Sequence, residues 1–422
     1  MSRSADLYER ALRVLPGGVN SPVRAMRQIG RDPVFVERGE GCELIDVDGN
    51  RYVDWVGSWG PLILGHADPD VLAAVEAAAA RGTSFGAATE AEVELAEEIA
   101  ARVPSVEMVR MTSSGTEAAM SAVRLARAVT GREVVVKFAG AYHGHSDGLL
   151  AEAGSGLATL AIPATPGVTA AQTAATVVVP WNDRGAVERA LADHAVAALI
   201  AEPIAANMGV VPPAQGFLEF LRAACDESGA LLVFDEVITG FRVARGGAQE
   251  LYGVRPDLTV LGKAIGGGLP AAAYAGPREL IERVAPAGDV YQAGTLSGNP
   301  LATAAGLATL RQLDPAAYER LGELTDRLVA GMRRLAAGRP LSVASAPGLV
   351  TLFFAPEPPA DFAAASACDL DAHARFCRAL LARGVYPPPS RFEAWFVSLA
   401  HDEAAIDRTL DAATDSLAEA LP

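Results

Sequence analysis

Cysteine is scarce in this chain of 422 residues, and no two of its four cysteines have the C-x-x-C spacing. Without that spacing, a disulfide framework or a zinc site has little support. A reducing cytoplasm fits such a composition best, so we predict a cytoplasmic protein. The cysteines are Cys42, Cys225, Cys368 and Cys377.

Positive charge is also in short supply. The chain has 35 lysines and arginines against 51 aspartates and glutamates, which gives a formal net charge of −16. Binding to nucleic acid or to an anionic membrane surface relies on a basic field, so neither partner is expected. An anionic small substrate remains compatible with the chain, because a few local cations are enough to bind it.

Long hydrophobic runs are missing as well. The first eighteen residues, "MSRSADLYERALRVLPGG", mix charged with apolar residues, which is typical of a short amphipathic helix and not of a signal peptide. No apolar run reaches the length of a membrane span. With 50% hydrophobic and 20% charged residues, the chain should fold as a soluble globular protein with a large core.

Short-range signals predict several elements before residue 105. Two alternating runs flank an Asp-Gly pair in "IDVDGNRYVD", which predicts a β-hairpin. Asp68 and Pro69 are typical of the first positions of a helix, and Thr89 and Glu92 have the spacing of a capping box.

From about residue 106 the pattern changes to short apolar runs separated by helical stretches. Continuous apolar runs are typical of strands that are covered on both faces, and their alternation with helices predicts a mainly parallel sheet. We therefore predict an α/β fold. The runs are "VEMVRM", "EVVVKF", "TVVVP", "AVAALIA", "ALLVFDEVI", "LTVLG" and "AAAYAG".

Two further stretches bear on the organisation of the chain. Residues 151–175 are rich in Gly, Ala, Thr and Pro and exceed an ordinary connection, so they form either a mobile flap over a site or an irregular surface loop. After about residue 310 the pattern returns to helices with one clear strand, which predicts a separate α/β piece.

Lys263 stands between a buried strand and three glycines in "TVLGKAIGGGLP". It is either a lysine that reaches solvent or an amine that binds an aldehyde covalently, because burial lowers the pKa of an amine. A phosphate-binding P-loop is excluded, since alanine follows the lysine. In the second case the glycines would leave room for the bound molecule.

Three other stretches offer companions for such a lysine. Asp235 ends an apolar strand, where it either pairs with an arginine or holds a proton on a pyridine nitrogen. The Ser-Gly-Thr turn at residues 114–116 opens a helix, and it either caps that helix or binds a phosphate. His143 and His145 are too few for a metal site, so we predict no metal and an aromatic contact from Tyr142 instead.

The order of these signals resembles that of the pyridoxal-phosphate enzymes of the class-III aminotransferase family, over nearly the whole chain. "LGKAIGGGLP" marks the broad fold type, whereas "GGVNSPVR", "VGSWGP" and "YQAGTLSGNP" resemble the family's aminomutase branch. The resemblance implies fold type I, with a mainly parallel seven-stranded sheet in a large domain, residues 63–310. A smaller α/β domain, residues 311–422, would pack with the N-terminal segment, residues 1–62.

The resemblance also implies roles around the cofactor, pyridoxal 5′-phosphate. Lys263 would bind its aldehyde and shuttle protons, Asp235 would pair with its ring nitrogen, and Tyr142 would lie beside its ring. Gly294 and Thr295 would reach the phosphate of a neighbouring subunit, which implies a homodimer with active sites at its interface. The other cofactor contacts implied are Ser114, Gly115, Thr116, His143, Asn207 and Val237.

For the substrate, the resemblance implies that Ser21 and Arg24 receive a carboxylate, that Trp59 forms a wall, and that Glu393 lies near the amine. Ser155 would belong to a gating loop. Three positions depart from the family pattern, and of these Arg391 could alter the charge near Glu393; the others are Ser113 and Ala206.

The activity implied is the isomerisation of glutamate 1-semialdehyde to 5-aminolevulinate for tetrapyrrole synthesis. The amino group would pass through 4,5-diaminovalerate, while the cofactor alternates with pyridoxamine 5′-phosphate. One alternative is an ω-aminotransferase of the same family, which uses separate amino donors and acceptors. Another is a non-catalytic cofactor-binding regulator, against which the acidic charge of the chain argues.

Overall fold

The computed structural model describes residues 2–151 and 165–421. In that part of the chain the strands form three sheets. The strands are β1 Val36–Glu40, β2 Glu43–Asp46, β3 Arg51–Asp54, β4 Met108–Thr112, β5 Val134–Phe138, β6 Thr176–Val179, β7 Val196–Ala201, β8 Leu231–Asp235, β9 Leu258–Leu261, β10 Ala272–Gly276, β11 Ser342–Ala346, β12 Leu349–Phe353, β13 Val385–Tyr386 and β14 Trp395–Phe396.

Helices surround these sheets. None of the helices within the described ranges is long and apolar enough to cross a membrane. They are α1 Arg3–Leu12, α2 Pro69–Ala79, α3 Glu90–Arg102, α4 Gly115–Thr130, α5 Ala170–Thr173, α6 Arg184–Asp193, α7 Phe217–Ser228, α8 Ala248–Tyr252, α9 Arg278–Ile281, α10 Pro300–Gln312, α11 Pro315–Ala336, α12 Phe362–Ser366, α13 Leu370–Ala382 and α14 Glu403–Ala420.

The largest sheet has seven strands in the order β4-β10-β9-β8-β7-β5-β6. Strands β9, β8, β7, β5 and β6 run parallel to one another, and β10 is antiparallel to both β4 and β9. These strands are the seven apolar runs of the sequence. The predicted α/β class and the mainly parallel seven-stranded sheet are confirmed.

Helices cover both faces of this sheet, which explains why its strands are continuously apolar. Along β8, Leu232 and Phe234 face a core shared with α6 and α7, whereas Val233 faces a core shared with α4. Side chains of successive strand residues point to opposite faces. Both faces are therefore buried, and polar groups are concentrated where the strands end.

Two smaller sheets lie outside this layer. Strands β1, β2 and β3 are joined by β13, which pairs parallel with β3 through Val385 and Val53. Strands β11, β12 and β14 form an antiparallel sheet of C-terminal residues. The N-terminal strands thus share a sheet with a strand near the C-terminus, while the domain boundaries after residues 62 and 310 stay a prediction.

The local signals predicted from the sequence are present. Asp68 accepts a hydrogen bond from the backbone N–H of Val71 at the start of α2, at 3.0 Å. Thr89 and Glu92 form the capping box of α3. The β-hairpin turns between β2 and β3, where Gly49 has a φ of 87°.

Helix α10 packs directly on the short 3₁₀ turn Lys263–Gly266. A Cβ at Gly306 of this helix would overlap the carbonyl oxygen of Ile265. The helix can approach the turn only because residue 306 has no side chain. The position of Lys263 therefore depends on a helix that begins 37 residues later in the chain.

We expect Gly306→Ala to destabilise the protein by about 1–3 kcal/mol, because the new methyl group meets rigid backbone. Gly322→Ala is the matched control, since Gly322 lies inside α11 with open space around its Cα. It should stabilise the helix by about 0.5–1 kcal/mol. Chemical denaturation measures both free energies of unfolding, and equal effects of the two substitutions would contradict this packing.

Candidate active site

Three adjacent parallel strands end in charged groups at one edge of the large sheet. Glu202 follows β7, Asp235 ends β8, and Lys263 comes two residues after β9. All three line a cavity of about 290 Å³. In sheets of this kind, ligands bind at the carboxyl ends of the strands.

Most of the predicted cofactor residues line this same cavity. They come from the turn before α4, the segment after β5, the segment after β7, and the ends of β8 and β9. These residues are Ser114, Gly115, Thr116, Tyr142, His143, Asn207, Asp235, Val237 and Lys263.

Lys263 is partly buried in a left-handed backbone conformation with a φ of 48°. Desolvation lowers the pKa of its amine, while the negative charges of Glu393, Asp235 and Glu202 act in the opposite direction. The net shift is downward, so more of this amine is neutral near pH 7 than in an exposed lysine. A neutral amine is the form that attacks an aldehyde.

The sequence contains one other lysine, Lys137. It is fully buried on β5, where its Nζ donates to the carbonyl oxygens of Ala141, Leu149 and Ala151 at 3.2, 3.1 and 2.9 Å. Lys137 therefore secures the segment that carries Tyr142 to the cavity. Lys263 is left as the lysine that can take part in carbonyl chemistry there.

Asp235 pairs with a histidine, and not with an arginine. His143 Nδ1 lies 2.7 Å from Asp235 Oδ2, and the backbone N–H of Val237 donates to Oδ1 at 3.1 Å. Within the described residues, His143 Nε2 is buried and has no hydrogen-bond partner. The carboxylate is thus held in one orientation at the cavity.

Glu202 is a buried cavity residue that the sequence reasoning missed. Its carboxylate accepts hydrogen bonds from the backbone N–H groups of Tyr142 and Ala206, at 3.0 and 2.8 Å. Burial raises the pKa of this carboxyl group, against the lowering effect of nearby His143. The signal was available, since Glu202 follows its strand in the way that Asp235 ends the next one.

The turn at residues 113–116 has the geometry of an anion site. Ser114 caps the 16-residue helix α4 by accepting a hydrogen bond from the backbone N–H of Glu117 at 3.3 Å. The first N–H groups of a helix point along its axis and favour negative charge. His145 Nδ1 lies 3.2 Å from the hydroxyl of Thr116 at the same turn.

The glycines after Lys263 lie in two different environments. Gly267 has a φ of 55°, and a Cβ there would lie 2.6 Å from the carbonyl oxygen of Ala305 on α10. Gly268 is the member of the run that lines the cavity. Packing against α10 therefore explains Gly267, and only Gly268 borders the space for a ligand.

Of the described residues that are predicted to contact the substrate, none belongs to the lining of the cavity. Trp59 belongs to a 3₁₀ turn, Gly57–Trp59, whose next residue, Gly60, lies close to Lys263. Ser21 lines a separate groove formed by residues 16–27, and Arg24 is exposed. Glu393 is buried and close enough to Lys263 to affect its pKa.

The remaining predicted positions fall elsewhere. Gly294 and Thr295 are exposed on the single chain, and Ser155 lies outside the described residues. Arg391 donates from its guanidinium to the carbonyl oxygen of Cys368 at 2.6 Å and lies over the ring of Phe392. Its charge thus has a partner of its own beside the segment of Glu393.

Comparison with known proteins gives this site a family. Residues 26–414 match the family described as aminotransferase class-III. The chain belongs to the class-III aminotransferase family. It is 58% identical over 420 residues to a glutamate-1-semialdehyde 2,1-aminomutase of Roseiflexus castenholzii, covering 98% of this chain and 97% of the relative.

Solved structures of similar proteins agree with this membership. An ω-transaminase from Sphaerobacter thermophilus has a TM-score of 0.92 at 35% identity, over 100% of this chain and 98% of its own. A variant of a glutamate-1-semialdehyde-aminomutase from Pseudomonas aeruginosa PAO1 in complex with PMP has a TM-score of 0.88 at 30% identity. Coverage is 99% of this chain and 95% of that one.

The class-III aminotransferase family implies pyridoxal phosphate or its amine form, and the donor set of the cavity fits that group. An amine, a carboxylate and a helix N-terminus border one space, as an aldehyde, a ring nitrogen and a phosphate require. The aromatic ring of Tyr142 borders the same space and is 38% exposed. Each part of the cofactor thus has a chemically matched group.

Incubation with pyridoxal phosphate followed by borohydride reduction should attach the cofactor to Lys263. The pH at which labelling is half-maximal should lie below about 10.4, the ordinary pKa of a lysine, because burial lowers the pKa of this amine. Peptide mass mapping measures the label. The Lys137 peptide is an internal control, and labelling that persists in Lys263→Ala would exclude this assignment.

Proposed function

We propose that this chain is a pyridoxal-phosphate-dependent aminomutase that isomerises glutamate 1-semialdehyde to 5-aminolevulinate. In this reaction the amino group moves from C4 to C5, and the carbonyl group moves from C5 to C4. The convergence of Lys263, Asp235 and the turn at residues 114–116 on one cavity supports the cofactor chemistry, which an aminotransferase would share. The observation that carries the mutase reaction is the similarity, over nearly the full length, to two relatives that bear the aminomutase name.

The residues that would hold the cofactor are those of the cavity. The N–H groups at the start of α4 would bind the phosphate, Asp235 would pair with the ring nitrogen, and Tyr142 would lie beside the ring. When bound, the cofactor supplies a conjugated electron sink and a group that exchanges an amine for a carbonyl.

Lys263 is the proposed proton carrier. Its Nζ can accept a proton from one substrate carbon and return it to the next, provided that the amine is neutral when the proton arrives. Desolvation lowers the pKa of the amine and so favours that state. Asp235 keeps its orientation through His143 and through the backbone N–H of Val237.

Retention of the diamine intermediate is the special demand of a mutase. If 4,5-diaminovalerate leaves early, the cofactor remains in the wrong form for the next substrate. A carboxylate clamp from Ser21 and Arg24, a wall from Trp59 and a closing loop at Ser155 are proposed to hold it. Glu393 is proposed to contact the substrate amine from the other side.

We further propose that the protein acts as a homodimer, with Gly294 and Thr295 reaching the neighbouring active site. The segment that carries them also exposes large apolar side chains, Tyr291 at 73% and Leu296 at 51%. Exposed apolar side chains grouped in this way are typical of a surface that a partner covers. The four cysteines are free thiols, and we propose the cytoplasm as the compartment.

Sedimentation should give twice the chain mass of 43.6 kDa. Leu296→Asp should shift this equilibrium towards the single chain, because burying an unpaired carboxylate in an interface is costly. Leu251→Asp, at a residue with 43% exposure on α8, is the matched control and should leave the mass unchanged. A wild-type protein that sediments as a single chain would contradict the dimer.

One alternative remains within the class-III aminotransferase family. The solved structure with a TM-score of 0.92 is an ω-transaminase, and such an enzyme would also use Lys263 and Asp235. The two activities differ in their need for a second substrate. A mutase carries its amino donor and acceptor in one molecule, whereas an ω-aminotransferase takes them from two.

The purified protein, loaded with cofactor, should therefore form 5-aminolevulinate from glutamate 1-semialdehyde with no added donor or acceptor. Arg24→Ala should raise the KM roughly tenfold or more, since a charge-assisted hydrogen bond contributes about 1.5–3 kcal/mol. Arg13→Ala, at an exposed arginine directly after α1, is the control. Turnover that appears only with a second amino compound would favour the ω-aminotransferase.

A further inference from the structure

Arg242 is a cation buried behind the cavity, with 1% of its surface exposed. Among the described residues, no carboxylate lies within salt-bridge distance of it. Its guanidinium instead donates to three main-chain carbonyl oxygens, those of Gly60, Val397 at 2.8 Å and Gly348 at 3.4 Å. The group also lies over the ring of Phe396, 5.2 Å from its centroid.

The carbonyl of Gly60 belongs to the last residue of an unusual turn. Gly57, Ser58, Trp59 and Gly60 have φ angles of 50°, 56°, 69° and 111°, so four successive residues are left-handed. For residues with a side chain this conformation costs roughly 1–2 kcal/mol each. Such backbone persists only where its surroundings hold it.

The turn is held at both ends. At its start, the carboxylate of Asp54 accepts hydrogen bonds from the backbone N–H groups of Val56 and Gly57, at 2.8 and 3.1 Å. At its end, Arg242 binds the carbonyl oxygen of Gly60. The two contacts fix the direction in which Trp59 leaves the backbone.

The turn also lies close to the aliphatic part of Lys263. A Cβ on Gly60 would lie 2.9 Å from Phe396 Cε1 and 3.4 Å from Lys263 Cδ. The space that a side chain at Gly60 would occupy is therefore taken by the ring of Phe396 and bordered by the aliphatic part of Lys263. A displacement of this turn would change the packing around the side chain of Lys263, which lines the cavity.

We propose that Arg242 is a positioning residue for the substrate pocket, which holds the turn at residues 57–60 against Lys263 and so keeps Trp59 in place. It does so by binding the turn together with residue 348, between β11 and β12, and residue 397, directly after β14. The role of Trp59 as a substrate wall rests on the proposed function, whereas the anchoring of the turn does not.

The chemistry of arginine suits this task. Its planar guanidinium presents five N–H donors in fixed directions, so it can bind carbonyl oxygens from three separate segments at once. A buried cation without a carboxylate partner is costly, and burial lowers the pKa of Arg242 to about 10. An apolar side chain would fill the same volume without that cost, but it could not bind the carbonyl of Gly60.

Hydrogen–deuterium exchange tests the anchoring on the full-length protein loaded with cofactor. Arg242→Lys keeps the positive charge but loses the planar set of N–H donors. Peptides spanning residues 55–62 should therefore exchange faster than in the wild type. Peptides from α6 should not change, and the exposed Arg245→Lys is the matched control. Unchanged exchange in residues 55–62, or an equal rise throughout the protein, would overturn the proposal.

A double-mutant cycle with Trp59→Ala tests the effect on the substrate. Arg242→Lys should raise the KM by about tenfold in the wild type but by less than about twofold in Trp59→Ala, since residues that act through one another are not additive. Changes in kcat and in cofactor affinity should be smaller. If the KM of the double variant rises by the product of the two single effects, the link between Arg242 and Trp59 is overturned. A protein that does not turn over the semialdehyde would refute the proposed function, while the exchange experiment still decides the anchoring.

Discussion

Lys263 is withdrawn from water at the end of β9, where burial favours the neutral amine and three carboxylates favour the charged one. Much of the surrounding structure is arranged around this balance. Helix α10 approaches the lysine turn through Gly306, and the turn that ends at Gly60 covers its aliphatic part. Without that burial the pKa of the amine would return towards that of an exposed lysine, and a smaller fraction of the amine would be neutral.

The acidic groups and the basic groups of the site are fixed in different ways. Asp235 and Glu202 accept hydrogen bonds from backbone N–H groups, which orient each carboxylate. Lys137 and Arg242 are buried cations that donate to backbone carbonyl oxygens. Lys137 secures the segment that carries Tyr142, and Arg242 contacts the turn that carries Trp59. Both segments thus depend on buried cations that lie outside the lining of the cavity.

Much of the fold could be predicted because its signals are local. The seven apolar runs became the seven strands of the large sheet, and the caps at Asp68 and Thr89 begin helices as predicted. The short strands β13 and β14 were not predicted, since two residues carry no periodicity and their pairing depends on distant partners. The glycines after Lys263 were assigned to the ligand, although Gly267 serves the packing of α10.

The sequence by itself determined the α/β class, the family, and the chemical types of Lys263, Asp235 and the turn at residues 114–116. These features lie within short, ordered motifs, where spacing and residue type carry the information. Only the tertiary structure decided which groups Glu202 and Arg242 contact. Both act on main-chain groups, and Arg242 and Gly60 are 182 residues apart in the chain. A hydrogen bond to a distant backbone carbonyl leaves no local pattern in the sequence, because every residue has that carbonyl.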